Sequence, residues 1–157
     1  MPSTPGWSPD GRYVACTLDA WLGGGSVADF SVWVLDLAAW KGELLGLEDL
    51  RPLPRASPGL NDQPNWSADG AWLAFGASVE NQRAVYLIET DGRNLHRIPA
   101  PPYVEDSTPA WSPDGTRLVV QCDAGKGPDL CTMNVDGSDR RRLTDNVWND
   151  LEPAWTR

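Results

Sequence analysis

The sequence is poor in histidine and in positive charge, and it has no long hydrophobic run. One histidine, His96, cannot supply the several imidazole ligands of a histidine-rich metal centre. Thirteen Lys and Arg stand against 22 Asp and Glu, and the net charge of −9 argues against a nucleic-acid partner, which needs clustered basic side chains. No apolar stretch approaches the ~20 residues of a membrane span, so we expect no membrane insertion.

The sequence also lacks the motifs of an enzyme active site. It contains no Gly-x-Ser-x-Gly nucleophile elbow. His96 lies on a predicted edge strand, with no acid or thiol motif nearby that would build a catalytic triad. The dense basic run Arg140-Arg141-Arg142 is typical of a solvated strand face. We therefore expect a non-catalytic chain.

Cysteine is scarce, and two of the three cysteines are close in sequence. Cys122 and Cys131 flank the loop of one predicted hairpin, which allows them to face each other. Three alternatives stay open: a disulfide, which suits an oxidising compartment, two reduced thiols, or a metal site that lacks a second Cys or His pair. The first residues contain no charged segment followed by an apolar one, so no signal peptide is predicted.

What the sequence does contain is a repeated pentapeptide, Trp-Ser-Pro-Asp-Gly, at residues 7–11 and 111–115. Residues 66–70 repeat it with alanine in place of proline, and residues 152–155 are a fourth, incomplete copy. A period near 44 residues lies in the range of propeller blades. The tryptophans that define the repeat, 59, 45 and 44 residues apart, are Trp7, Trp66, Trp111 and Trp155.

Each pentapeptide predicts a tight turn that opens a hairpin. Proline presets φ, aspartate bonds to local amides, and glycine takes the left-handed conformation. Alternating apolar runs follow every turn, and later Asp-Gly dipeptides mark a second hairpin. We therefore predict one domain over 1–157, with units of four short strands at about 5–54, 62–98 and 106–144 and a partial fourth unit at 150–157.

Residues 106–144 contain the fullest form of the repeat. They combine an Asp and a Pro ahead of the pentapeptide, an apolar strand, an Asp-Gly turn and an Arg-Arg-Leu-Thr segment. This pattern resembles the TolB-like β-propeller repeat, a WD40-like unit. The resemblance implies an all-β fold of four-stranded antiparallel blades around a central channel, with each repeat tryptophan wedged between blades. It also favours a bacterial protein of the periplasm or the cell exterior.

The number of predicted blades is smaller than that of a closed propeller. Propellers close with typically 4–8 blades, and this sequence offers three and one extra strand. Either the chain is part of a longer propeller, or two copies pair to make six blades. We expect the homodimer, because a two-fold ring is a common closed assembly. In it, the strand around Trp155 would replace the weakly matching start of the partner.

Three aspartates stand just before the prolines of successive units, spaced by 44 and 44 residues: Asp62, Asp106 and Asp150. Blade geometry predicts that they lie at one end of the channel. Converging carboxylates favour a hard cation such as Ca²⁺ or Mg²⁺. The alternative is that each carboxylate satisfies amides of its own loop. No other cofactor is predicted.

Two functions of different classes are consistent with these features. The first is a self-associating scaffold that binds a protein or peptide through the channel mouth and aromatic rim loops. The second is an accessory or gating segment of a larger hydrolase or carbohydrate-active enzyme, whose catalytic part would lie outside this sequence. The rim aromatics that favour the first function are Trp21, Trp40, Tyr103 and Trp148.

Overall fold

The computed structural model of the chain describes residues 5–19, 30–40, 50–54 and 61–155. Within these ranges the backbone forms twelve β-strands and no helix that could cross a membrane. The strands are β1 (Gly6–Trp7), β2 (Tyr13–Asp19), β3 (Phe30–Asp36), β4 (Leu50–Pro52), β5 (Asn61–Trp66), β6 (Trp72–Val79), β7 (Gln82–Glu89), β8 (His96–Arg97), β9 (Glu105–Trp111), β10 (Arg117–Asp123), β11 (Asp129–Asn134) and β12 (Arg141–Arg142).

The strands form three four-stranded antiparallel sheets, each made of four consecutive strands. Their orders are β1-β2-β3-β4, β5-β6-β7-β8 and β9-β10-β11-β12. The first strands of neighbouring sheets contact each other, so β1, β5 and β9 are the innermost strands of the stack. The predicted fold class, an all-β propeller with three four-stranded antiparallel blades, is confirmed. Completion of the ring to six blades stays a prediction.

The second sheet is buried on both faces, which shows that the sheets stack like blades rather than pairing as a sandwich. One apolar cluster joins it to the first sheet and another joins it to the third. Side chains alternate between the two faces of each strand, so neighbouring residues of β6 serve different clusters. Leu73 and Phe75 pack against the first sheet, whereas Ala74 packs against the third.

The pentapeptide turns share one hydrogen-bond network. In the third copy the Ser112 hydroxyl donates to Asp114 Oδ1 at 2.6 Å and accepts from the Arg117 N–H at 2.9 Å. The same carboxylate accepts from the Thr116 N–H at 3.0 Å, and Gly115 has a φ of 71°. The Ser112 hydroxyl, and then Thr116, lower the pKa of Asp114 to about 2. Residues 8–13 and 67–72 repeat the serine and aspartate bonds.

The innermost strands share a second feature, a β-bulge at the residue before proline. In β5 the pairing register shifts across Gln63 and Pro64, and in β9 it shifts across Thr108 and Pro109. Gln63 and Thr108 have φ values of 54° and 45°, which are rare for residues other than glycine. Bulges of this kind bend a strand and re-aim its side chains.

The fourth copy of the repeat differs from the sequence expectation. It has the same left-handed residue before proline, since Glu152 has a φ of 52°. However, residues 151–155 belong to no strand, and none of them pairs with a sheet among the described residues. The segment therefore shares the left-handed residue of the innermost strands but is not itself paired as a strand.

Candidate functional site: the tryptophan-lined channel mouth

A relay of indole hydrogen bonds links successive repeats. Each indole N–H donates to the backbone carbonyl of the residue just before the tryptophan of the preceding repeat. A buried indole normally finds such a partner for its one polar group. The bonds run from Trp66 to Gly6, from Trp111 to Asn65 and from Trp155 to Ala110, at 3.0, 3.2 and 3.2 Å.

The relay brings all four repeat tryptophans to the wall of one cavity of about 580 Å³, which we call the channel mouth. The pentapeptide turns supply most of the remaining wall, including Pro9, Ala68 and Pro113. Trp66 is only 7% exposed, whereas Trp7 is 64% and Trp155 39% exposed. The channel mouth is therefore an aromatic recess of mixed polarity, with two indoles open to solvent. Recesses of this composition are typical of binding sites.

A narrower cavity of about 180 Å³ is lined by the bulges of the innermost strands. Three residue–proline pairs meet there, at 63–64, 108–109 and 152–153. Gly6 and Asn65 line both cavities, so the narrow one adjoins the channel mouth. We refer to it as the channel.

One residue that lines the channel has a hydrogen-bond acceptor without a donor. Gln63 Oε1 is buried and has no hydrogen-bond partner within the part of the chain that is described. In the next repeat Thr108 donates to Gln121 Oε1, which also accepts from the Glu152 N–H at 3.2 Å. In the second sheet, Gly76 occupies the register position of Gln121, so that position offers Gln63 no side chain.

The predicted aspartate ring contains one deeply buried member. Asp106 is 1% exposed, and its carboxylate accepts two hydrogen bonds from Arg140, at 2.6 and 2.9 Å. A bidentate pair of this kind satisfies both carboxylate oxygens. Asp150 Oδ2 accepts from Asn146 at 2.8 Å. No group of three or more His, Cys, Asp or Glu in the described ranges is placed to hold a metal ion.

Equal spacing in sequence does not make the aspartates equivalent in register. Asp106 lies opposite Cys122, and Asp62 lies opposite Gly76. The residue that corresponds to Asp106 in the second sheet is Asn61, which lies opposite Ala77. The 44-residue spacing is one residue shorter than the 45 residues between Trp66 and Trp111, and this causes the shift. A cation role for Asp62, Asp106 and Asp150 stays a prediction.

The basic run was expected to be solvated, and for Arg140 this is wrong. Its side chain is 16% exposed and links the connection before β12 to the innermost strand through Asp106. Sequence reasoning missed this pair because the two residues are 34 positions apart and no other repeat has an arginine at that place. Arg141 and Arg142 pair with Asp139 and Asp129 nearer the surface.

The structure joins Cys122 and Cys131 in a disulfide, with a Cα–Cα distance of 5.9 Å. Cys122 lies opposite Asp129 and Cys131 lies opposite Val120, so the bond crosses from β10 to β11 diagonally. Both cysteines are buried in the cluster that faces the second sheet.

The rim aromatics are spread over the surface. Tyr103 and Trp148 are highly exposed, Trp40 is exposed to a lesser degree, and Trp21 lies outside the described residues. None of them lines the channel mouth as described. The aromatic site is therefore built by the repeat tryptophans, which the sequence predicted only as structural wedges.

Stacked four-stranded antiparallel sheets whose innermost strands surround a common channel define a β-propeller segment. The family model of the TolB beta propeller domain matches residues 3–157, and the chain belongs to this family.

Among curated proteins the chain is 37% identical over 68 residues to the uncharacterized peptidase YuxL of Bacillus subtilis, covering 43% of this chain and 10% of YuxL. It is 29% identical over 115 residues to the uncharacterized protein Atu1656 of Agrobacterium fabrum, covering 73% of this chain and 33% of that protein. The chain thus spans a third or less of these relatives. A solved structure described as TolB from Agrobacterium tumefaciens has a TM-score of 0.71 and 26% identity, covering 92% of this chain and 50% of that one.

Proposed function

We propose that this chain is a non-catalytic propeller scaffold that binds a protein or peptide segment at the channel mouth. The observation that carries the proposal is the convergence of four tryptophans on one recess of about 580 Å³. Aromatic side chains offer a large apolar contact area at a low entropic cost. A peptide side chain that enters the mouth would bury the exposed indoles of Trp7 and Trp155.

The channel supports an extended peptide rather than a compact ligand. The channel mouth adjoins the narrow cavity, which gives an extended segment a path beyond the tryptophans. The net charge of −9 favours a neutral or basic partner over an acidic one.

The scaffold interpretation also has support from the serines of the turns. Ser8, Ser67 and Ser112 each donate to the turn aspartate and accept from a backbone N–H. Each hydroxyl is therefore committed to its turn, and none of the three is paired with a histidine, the usual base of a nucleophilic serine.

The alternative is an accessory or gating segment of a larger hydrolase. The similarity to YuxL favours it, because this chain would correspond to a small part of such a peptidase. The length of the native open reading frame distinguishes the two functions. A continuation of several hundred residues that contains a Gly-x-Ser-x-Gly elbow would favour the alternative.

We also propose self-association and an oxidising compartment. Two copies would supply six sheets, a number within the range of closed propellers. The disulfide supports a location outside a reducing cytosol.

The binding proposal is tested with two arginine substitutions in one turn. Ala68 lines the channel mouth, whereas Ala71, three residues later and also exposed, does not. Peptides selected from a random displayed library are labelled and titrated by fluorescence polarisation. We expect Ala68→Arg to weaken binding about tenfold or more, and Ala71→Arg to leave it unchanged. Equal affinity of both variants would place the binding site elsewhere.

A further inference from the structure

Two grooves open between neighbouring sheets on the face that carries the pentapeptide turns. The first groove lies between the first and second sheets and has a volume of about 530 Å³. The second groove lies between the second and third sheets and has a volume of about 620 Å³. Trp66 lines both the first groove and the channel mouth, and Trp111 lines both the second groove and the channel mouth. Each groove therefore adjoins the channel mouth.

The two grooves are built from equivalent register positions of successive sheets. In the fourth strands, Arg51 lies opposite Val34, and His96 lies opposite Leu87. Val34 and Leu87 are equivalent because each lies opposite the alanine that pairs with the residue before the repeat tryptophan. Arg51 and His96 therefore occupy the same place in their grooves. The other equivalent pairs, first groove before second, are Tyr13 and Trp72, Trp66 and Trp111, Thr90 and Val135, and Asp91 and Asp136.

The first groove holds a guanidinium group that belongs to the chain itself. Arg51 reaches from the first sheet to the second, where its Nη2 donates to the Thr90 carbonyl and its Nη1 lies beside Gly92. The pKa of Asp91 is lowered mainly by its hydrogen bonds with Arg93, and the charge of Arg51 adds to this effect. The turn that follows the third strand of the second sheet thus accommodates an arginine side chain.

The second groove has no lysine or arginine on its wall within the described ranges. His96 stands in the place of Arg51, but its interactions are with its own sheet. Its ring contacts Trp72 edge-on, with the ring centroids 5.7 Å apart, and its Nδ1–H donates to the Asn94 carbonyl at 2.7 Å. No basic side chain in the described part of the chain therefore takes the place at Val135 and Asp136 that Arg51 takes in the first groove.

Three ionised carboxylates surround the second groove, those of Asp69, Asp114 and Asp136. Each accepts the hydrogen bonds of its own turn at Oδ1, and no described residue donates to Oδ2. The serine hydroxyl of the turn is the main cause that lowers the pKa of each carboxyl group, so all three are charged at neutral pH. None of them has an ion-pair partner among the described residues, whereas the aspartates of the first groove pair with arginines.

The floor of the second groove is apolar and partly aromatic. Leu87 is buried, and Trp72, Trp111 and Val135 are partly buried hydrophobic residues. The aliphatic stem of a long basic side chain packs well on such a surface while its charged end stays in a polar environment. A planar guanidinium group also stacks on indole rings and is less strongly hydrated than an ammonium group. An apolar floor below an anionic rim therefore favours arginine over lysine or a small cation.

We propose that the second groove binds an arginine side chain of the partner peptide, in the place that Arg51 takes in the first groove. The guanidinium group donates to the Val135 carbonyl and pairs with Asp136, and the stem lies on Trp72 and Trp111. The inference rests on the proposed function, because the peptide that occupies the channel mouth carries this arginine into the adjoining groove. A small probe tests the groove separately from the mouth.

The first test titrates the protein with Nα-acetyl-arginine amide and follows the indole N–H signals of Trp72 and Trp111 by NMR. The neutral isostere Nα-acetyl-citrulline amide is the ligand control and is expected to leave these signals in place. Asp136→Asn is expected to weaken binding of the arginine probe about threefold to fivefold. Asp91→Asn removes the same charge at the equivalent turn and is expected to leave the affinity unchanged. Unshifted indole signals, equal binding of both probes or equal losses in both variants would overturn the proposal.

The second test lets the chain fill the second groove itself. His96→Arg places an arginine where Arg51 stands in the first groove and is expected to abolish binding of the arginine probe. Ala71→Arg adds the same charge to an exposed residue that does not line the groove and is expected to keep it. Retained binding in His96→Arg would overturn the proposal. His96 does not line the channel mouth as described, so the comparison of library peptides on Ala68→Arg still decides the proposed function by itself.

Discussion

The second and third sheets are built from nearly the same plan, yet they are stabilised by different means. The second sheet is apolar on both faces and packs between two neighbours. The third has one apolar face and contains a disulfide and a buried ion pair between Asp106 and Arg140. The sheet that has one neighbouring sheet among the described residues thus contains a covalent and an ionic link beside its apolar contacts.

Removal of an indole at an inner junction is expected to have the largest effect. Trp66→Ala deletes a buried ring and the hydrogen bond to Gly6 and should cost about 3–5 kcal/mol. Trp7→Ala removes the same residue type from an exposed site and should cost less than about 1 kcal/mol in the protomer. Urea unfolding of both variants at the same protein concentration gives the difference. Similar losses of unfolding free energy in the two variants would show that burial between two sheets does not determine the effect of removing a repeat tryptophan.

The second largest effect is expected for loss of the ion pair in the third sheet. Asp106→Asn removes the charge that compensates Arg140 and should cost about 2–4 kcal/mol, since both side chains are largely buried. The matched control is Asp139→Asn, which disrupts a more exposed pair and should cost about 1 kcal/mol or less. An Asp106→Asn variant as stable as its control would mean that desolvation cancels the attraction.

The disulfide should contribute slightly less to the free energy of unfolding than the ion pair does. Replacing Cys122 and Cys131 by alanine should lower the free energy of unfolding by about 2–3 kcal/mol, because the closed loop is short. The second sheet holds Ala77 and Tyr86 at these positions and does without the link. Reduction of the wild type with dithiothreitol should reproduce the loss, and the double variant should be insensitive to it. Sensitivity of the double variant to dithiothreitol would point to another cause.

The smallest expected effect is a pH dependence of stability that arises from an aspartate in the turns. The folded pKa of Asp114 is about 2, below the ordinary value of 3.8, because it accepts from Ser112 and Thr116. The contribution of this group is therefore fully present above pH 3.8 and is lost as the pH falls towards 2. Thermal unfolding between these pH values should show a shallower decline for Asp114→Asn than for the wild type. Parallel curves would exclude this aspartate as a source of the acid sensitivity.

The parts of the fold that the sequence could predict are those that depend on local chemistry. The pentapeptide specifies its own turn through Ser112, Asp114 and Gly115, which bond within six residues of one another. The repeat spacing then predicts the blades. Pairing of Asp106 with Arg140 depends on distant parts of the third sheet, so no local pattern indicates it. The aspartates Asp62 and Asp106 are 44 residues apart whereas Trp66 and Trp111 are 45 apart, which is why equal spacing of the aspartates did not place Asp62 and Asp106 at the same register position.

The indole relay has a consequence for how such chains grow in evolution. Three of the four repeat tryptophans donate to a main-chain carbonyl of the preceding repeat, and a carbonyl is present whatever the side chain of that residue. Gly6, Asn65 and Ala110 serve equally well as acceptors. A duplicated repeat therefore carries the indole that links it to the preceding repeat. The preceding repeat needs no matching amino-acid substitution. Gene duplication can lengthen the series one module at a time without first redesigning its neighbours.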